Sequence, residues 1–259
     1  MSQPGEVDEK EVVENLLLST EFRGFYDKER PRAGHIKWCY NPNLRKQYAA
    51  DAMHIADPDM KCKKIILTRF PVNIEDAHIV AHEIVHAIFS EEKNTVIIYE
   101  RPKPNPSLRP YLGSMLEDPL VDTLLCKKYN FDLSRDYLRG ILILEDEFKN
   151  WREPENPLNR LGNAFNLANQ MVCWRLIEDP KMRRRWDNFL VWYSDPNRCP
   201  STSQFARELV AIMDHHKLET LDQRRMVCSE VIEKYHLEKN LDLKNKFHVD
   251  LQSNFDECP

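Results

Sequence analysis

An α+β protein is what the sequence predicts, and three observations predict it. Short β-like runs occupy the stretch from residue 35 to residue 70. An apolar helix carrying histidines follows them. From about residue 111 the hydrophobic spacing is almost wholly helical.

The elements follow in chain order. Residues 8–19 alternate charges with Val12, Val13, Leu16, Leu17 and Leu18, the pattern of an amphipathic helix. The runs 35–40, 52–56 and 64–70 are candidate strands. The first two end at Asn41-Pro42-Asn43 and Asp57-Pro58-Asp59, which are turn signals. Pro71-Val72-Asn73 stops the third run. Asn73 can cap a helix, and Glu75 and Asp76 would suit its first turn. That helix is expected from Ile74 to Phe89. Residues 95–99 form a further candidate strand, and the proline-rich 101–110 an exposed loop. A helix over 111–129 contains Pro119, which either kinks it or starts a new helix capped by Asp118. Five more helices are expected at about 133–150, 158–178, 181–193, 201–216 and 219–237. The expected organisation is thus an α+β region over 1–130 and a helical region over 131–259, packed as one unit with no flexible linker between them.

Composition narrows the function classes. At 259 residues the chain can bury a sizeable core. A net charge of −5 argues against nucleic acid as the partner, because phosphate binding needs a basic footprint. The run Lys181-Met182-Arg183-Arg184-Arg185 lies in a helical pattern and is expected to be a solvated face. Seven cysteines with no C-x-x-C pair make a disulfide framework or zinc ribbon a poor fit. No signal peptide or membrane-spanning run is found, so a cytoplasmic location is expected. Six glycines build no phosphate-binding loop, and no G-x-S-x-G nucleophile elbow occurs.

One segment carries specific chemistry: Ala81-His82-Glu83-Ile84-Val85-His86, an H-E-x-x-H. Residues four apart share a helix face, so His82 and His86 can offer two imidazole nitrogens to one metal ion. Glu83 lies a third of a turn round and can serve as general base to a metal-activated water. Around this helix Ala77, Val80, Ile84, Ala87 and Ile88 form one apolar face, with Ile79 and Phe89 on the other side. A helix apolar on two sides is buried, and its polar groups then need partners.

The third donor is expected in Glu117-Asp118-Pro119-Leu120-Val121-Asp122. On a helical wheel Glu117 projects from the middle of the apolar face made by Leu120, Val121 and Leu124, where a carboxylate needs a partner. Glu117 is therefore the expected third ligand, with Asp118 the alternative. His78, Tyr99, Tyr111 and the His215-His216 pair are lesser candidates for a cleft or oxyanion role.

Over residues 63–130 the motif and its order resemble the zincin metallopeptidases. The positions after His86 lack the extended glycine–histidine pattern of the metzincins, so the resemblance is to the gluzincin type, with an acidic third ligand. It implies a small sheet above the H-E-x-x-H helix, one zinc ion, and hydrolysis of a peptide or protein substrate. By gluzincin spacing Asp118 would be the ligand, and Asp122 the second acid that orients a ligand histidine. The rival expectation is a zincin-like domain kept for sensing or partner binding, with little turnover.

Overall fold

The computed structural model describes residues 5–45, 51–56, 63–100, 107–147 and 152–243. The protein is mixed α+β, with one small sheet and a predominance of helix. The first sheet contains β1 (Gly5–Glu6), β2 (Ile36–Tyr40), β3 (Ala52–Ala56) and β4 (Lys63–Leu67) in the order β1-β2-β4-β3. β2 and β4 run parallel; β3 is an edge strand antiparallel to β4, with His54 opposite Ile65. Alternation turns one face inward: Ile36, Trp38 and Tyr40 of β2 and Ile65 and Leu67 of β4 are buried.

The expected N-terminal helix is broken. α1 (Glu9–Val13) ends early, Leu16–Leu18 form a 3-10 turn, and Ser19 then caps α2 (Thr20–Glu29). A serine whose side chain accepts from the Phe22 N–H stabilises a new helix start more than it supports a helix interior. Leu18, counted with the apolar stripe, is 69% exposed as a result. At Gly34 the backbone takes φ +63°, and a Cβ there would come within 2.9 Å of Glu91 Oε2. Glycine is therefore required where this turn packs on the following helix.

α3 (Ala77–Glu91) holds the H-E-x-x-H. Asn73 and Asp76 form a reciprocal capping box around a 3-10 turn just before it. Ala77, Val80, Ala81, Ile84, Val85, Ala87 and Ile88 are buried between β3, α2 and α4 (Arg109–Tyr129). α4 runs unbroken through Pro119. Pro119 lacks the N–H that would reach Met115, but it is buried, and its own carbonyl accepts the Thr123 hydroxyl at 2.6 Å. Tertiary packing of both flanks holds the helix together across it.

Next come α5 (Ser134–Glu147), α6 (Pro157–Cys173), α7 (Pro180–Tyr193), α8 (Pro200–His216) and α9 (Leu221–Lys234). α6 packs on α4 and on α8, so the second half meets the first through α4. Buried apolar residues of both regions, from Val12 to Leu241, belong to one cluster. Two short strands, β5 (Ile98–Glu100) and β6 (Leu241–Leu243), pair antiparallel and bring residues 241–243 back beside the first half. Lys181, Arg183 and Arg184 are exposed, and Arg185 pairs with Glu145. The expected loop at 101–110 lies outside the described residues up to position 106. No helix among the described residues is long and apolar enough to cross a membrane.

Candidate metal centre

His82 and His86 project from α3 toward α4, and their Nε2 atoms stand 3.1 Å apart. Asp118 Oδ1 lies 3.6 Å from His82 Nε2 and 3.2 Å from His86 Nε2. Asp118 Oδ2 is tied by Asn169 Nδ2 of α6 at 2.8 Å, whereas Oδ1 is buried and has no hydrogen bond. The other ring nitrogens face outward. His82 Nδ1 lies 2.9 Å from Asp122 Oδ1, and His86 Nδ1 lies 3.3 Å from Glu117 Oε2. With each Nδ1–H given to its carboxylate, two imidazole lone pairs and one carboxylate oxygen converge on a single point. Three acceptors at one point need a proton or a cation between them.

The spacing can be tested against zinc. Tetrahedral bonds of about 2.05 Å separate donor atoms by about 3.3 Å. The three separations here bracket that value, and two imidazoles with a carboxylate form a known zinc donor set. Histidine–aspartate groups also occur at surfaces without any metal, but here the donors are 14–17% exposed and one oxygen is orphaned. The residues fit the ion.

Charge in the metal-free cluster follows from the same contacts. Burial would depress both imidazoles, yet Asp122 and Asp118 hold His82 well above its ordinary range. Asp118 and Glu117 likewise lift His86 to about 9. Burial would raise the Asp118 carboxyl, but the two histidines bring it down to about 2.

Glu117 is not in the converging group, which corrects the expectation that it is the third donor. The helical wheel was right that it is buried, at 6% exposure. Its partners differ: Oε2 faces His86 Nδ1, and Oε1 accepts the Val96 N–H at 3.2 Å. Asp118, a hundred degrees further round α4, reaches the point between the rings. Asp122 faces His82 Nδ1. Glu83 is partly exposed on α3, next to His82, and no described residue hydrogen-bonds to its carboxylate.

The structure brings further residues to the cluster: His78, a lesser candidate in the sequence, and others that the sequence did not single out. His78 lies 3.2 Å from Asp122 Oδ1 and 2.9 Å from Asp136 Oδ2. The Tyr137 hydroxyl donates to Asp122 Oδ2. His54 of β3 stacks parallel to His86 with ring centroids 6.4 Å apart, and its Nε2 is buried without a partner. Burial, then the neighbouring His86 and Lys63 charges, push His54 down to about 3, so its ring is neutral. Strand alternation alone could have flagged His54, since it shares the inward face with buried Ala52. Nothing in the sequence marks Asp136, Tyr137 or Asn169. Of the lesser candidates, His216 pairs with Glu230 at 2.5 Å, and Tyr99 and Tyr111 are exposed side chains.

Two concavities lie away from the cluster. One is lined by Asp51, Leu67, Arg69, Asp76 and Ile79 among others; the other is an open depression formed by Leu142, Glu145, Asp146 and Trp192. No protein-family model, curated protein or solved structure matches this chain.

Proposed function

We propose that the protein is a zinc-dependent hydrolase of the gluzincin type, acting on peptide bonds. The observation that carries this reading is the convergence of His82 Nε2, His86 Nε2 and Asp118 Oδ1 at zinc-donor spacing; Glu83 follows His82 in the chain, and among the described residues its carboxylate has no hydrogen-bond partner. Three protein donors leave a fourth position open, the pattern of a catalytic site rather than a closed structural one. Bound zinc supplies Lewis acidity there, easing proton loss from water and polarising a carbonyl.

The chain's own residues do the rest. Asp122 and Glu117 fix the His82 and His86 rings so that both Nε2 lone pairs point inward. Asn169 holds Asp118 Oδ2 and leaves Oδ1 for the ion. Glu83 takes a proton from the attacking water as the new C–O bond forms. It returns that proton to the leaving amine as the C–N bond breaks. A peptide is favoured over a small amide because β3 is an edge strand packed against α3 and bearing His54. Its outer side is available, among the described residues, to pair with an extended chain.

Elemental analysis and a peptide-library assay test this. One zinc per chain is expected, absent in His86→Ala. Glu83→Gln should keep its zinc while turnover falls by about 10²–10⁴. Wild-type protein that binds no zinc when supplied with it would overturn the reading. A second reading, a zinc domain for sensing or partner binding, is favoured by the low exposure of the donors and by concavities that lie elsewhere. On that reading Glu83→Gln would leave biological activity intact.

A further inference from the structure

His78 belongs to none of the roles above, yet both its ring nitrogens are engaged. It stands one turn before His82 on α3, with its side chain 11% exposed. Nδ1 meets Asp136 Oδ2 at 2.9 Å and Nε2 meets Asp122 Oδ1 at 3.2 Å. Ionised carboxylates only accept hydrogen bonds, so both nitrogens donate. The same Asp122 oxygen lies 2.9 Å from His82 Nδ1, and its other oxygen accepts from Tyr137. Asp136 is 21% exposed and starts the chain at the surface; His82 Nε2 ends it at the donor point.

We propose that His78 is a positioning residue for zinc: clamped between Asp136 and Asp122, it fixes the carboxylate that aims His82. This rests on the zinc reading above. A buried carboxylate with three donors has one stable orientation. Without His78, Asp122 keeps only the Tyr137 hydroxyl and the His82 ring it is meant to aim, so the carboxylate and that ring can turn together. His78, His82 and Asp122 could themselves hold a second cation. That arrangement would break both hydrogen bonds to Asp122 Oδ1 and would bind His82 through both of its nitrogens.

The test is a zinc-competition titration of full-length wild type, His78→Phe, His78→Gln and Asp136→Asn. It is paired with the visible spectrum of each protein loaded with cobalt(II). Wild type should hold one metal. His78→Phe should bind zinc about tenfold more weakly, with shifted cobalt bands at unchanged stoichiometry. His78→Gln, which keeps a donor toward Asp122, should recover most of the affinity. Asp136→Asn, at the more exposed end of the chain, should show a smaller loss in the same direction. Wild-type affinity and spectrum in both His78→Phe and Asp136→Asn would overturn the proposal while leaving the zinc site standing. Two metals in wild type and one in His78→Phe would make His78 a ligand and overturn it as well. No zinc in wild type would sink the hydrolase reading, and this inference with it.

Discussion

Glu117 and Asp118 are adjacent carboxylates on one helix, and a hundred degrees of helical rotation gives them different work. Asp118 Oδ1 is buried without a hydrogen bond, whereas Glu117 is satisfied by the Val96 N–H and the His86 ring. Removing charge at each should therefore have unequal effects. If Asp118 ligates zinc as proposed, Asp118→Asn should abolish stoichiometric zinc binding. Glu117→Gln disturbs only the partner of a ligand and should weaken binding by about 10–100-fold. Competition titration against a chromophoric chelator separates the two. Equal losses would mean that both carboxylates reach the metal. The sequence could not make this choice, because Pro119 directly follows the pair and blurs any wheel drawn through them. Burial of Glu117 was legible, since a carboxylate surrounded by leucine and valine must be paired. The identity of its partner was not, because Val96 and His86 meet it only through the fold.

At the scale of elements, α3 and α4 carry His82, His86 and Asp118, and the helices behind them set their angle. α6 reaches the centre through Asn169, and α9 does so indirectly through Arg224. That arginine is fully buried. It donates to Leu218 O at 3.0 Å and to Asn94 O and Oδ1 at 2.5 and 2.7 Å. Asn94 lies two residues before Val96, whose N–H holds Glu117. Arg224→Ala leaves a cavity and deprives the Leu218 and Asn94 carbonyls of their donor, so it should cost about 3–5 kcal/mol. A urea titration would read that loss. A cost under about 1 kcal/mol would mean that the α9 contact is incidental. The helices themselves were visible in the sequence through spacing and proline punctuation. β1, β6 and the break before α2 were not: a two- or three-residue strand has too little periodicity to register, and one capping serine outweighed an apolar stripe.

Across the whole molecule, one apolar cluster joins the sheet region to the helical region, and buried ion pairs fasten its edges. Glu29 of α2 is the deepest of these, with its side chain 1% exposed against Lys128, Tyr129 and Arg32. Burial would raise its carboxyl, but those three partners pull it from 4.5 to about 2. A depressed carboxylate contributes stability above its unfolded value and loses it as pH falls through the folded one. Global stability should thus decline between about pH 4.5 and 2, with up to about 3 kcal/mol of the decline owed to Glu29. Glu29→Gln should be less stable near neutrality and flatter over that acid range in urea titrations. Parallel acid profiles for variant and wild type would refute this.

What the sequence by itself determined was the α+β order and the buried H-E-x-x-H helix. Both are written in local periodicity: apolar residues every three to four positions and histidines four apart. Only the tertiary structure decided that Asp118 meets the two Nε2 atoms while Glu117 meets His86 Nδ1. It likewise decided that Asn169 steadies Asp118, and that His54, His78, Asp136 and Tyr137 surround the centre. These groups come from five separate elements (β3, α3, α4, α5 and α6), so no spacing along the chain records their meeting. Which carboxylate oxygen is left without a hydrogen bond depends on the donors that distant helices bring to its neighbour, and that is a property of packing.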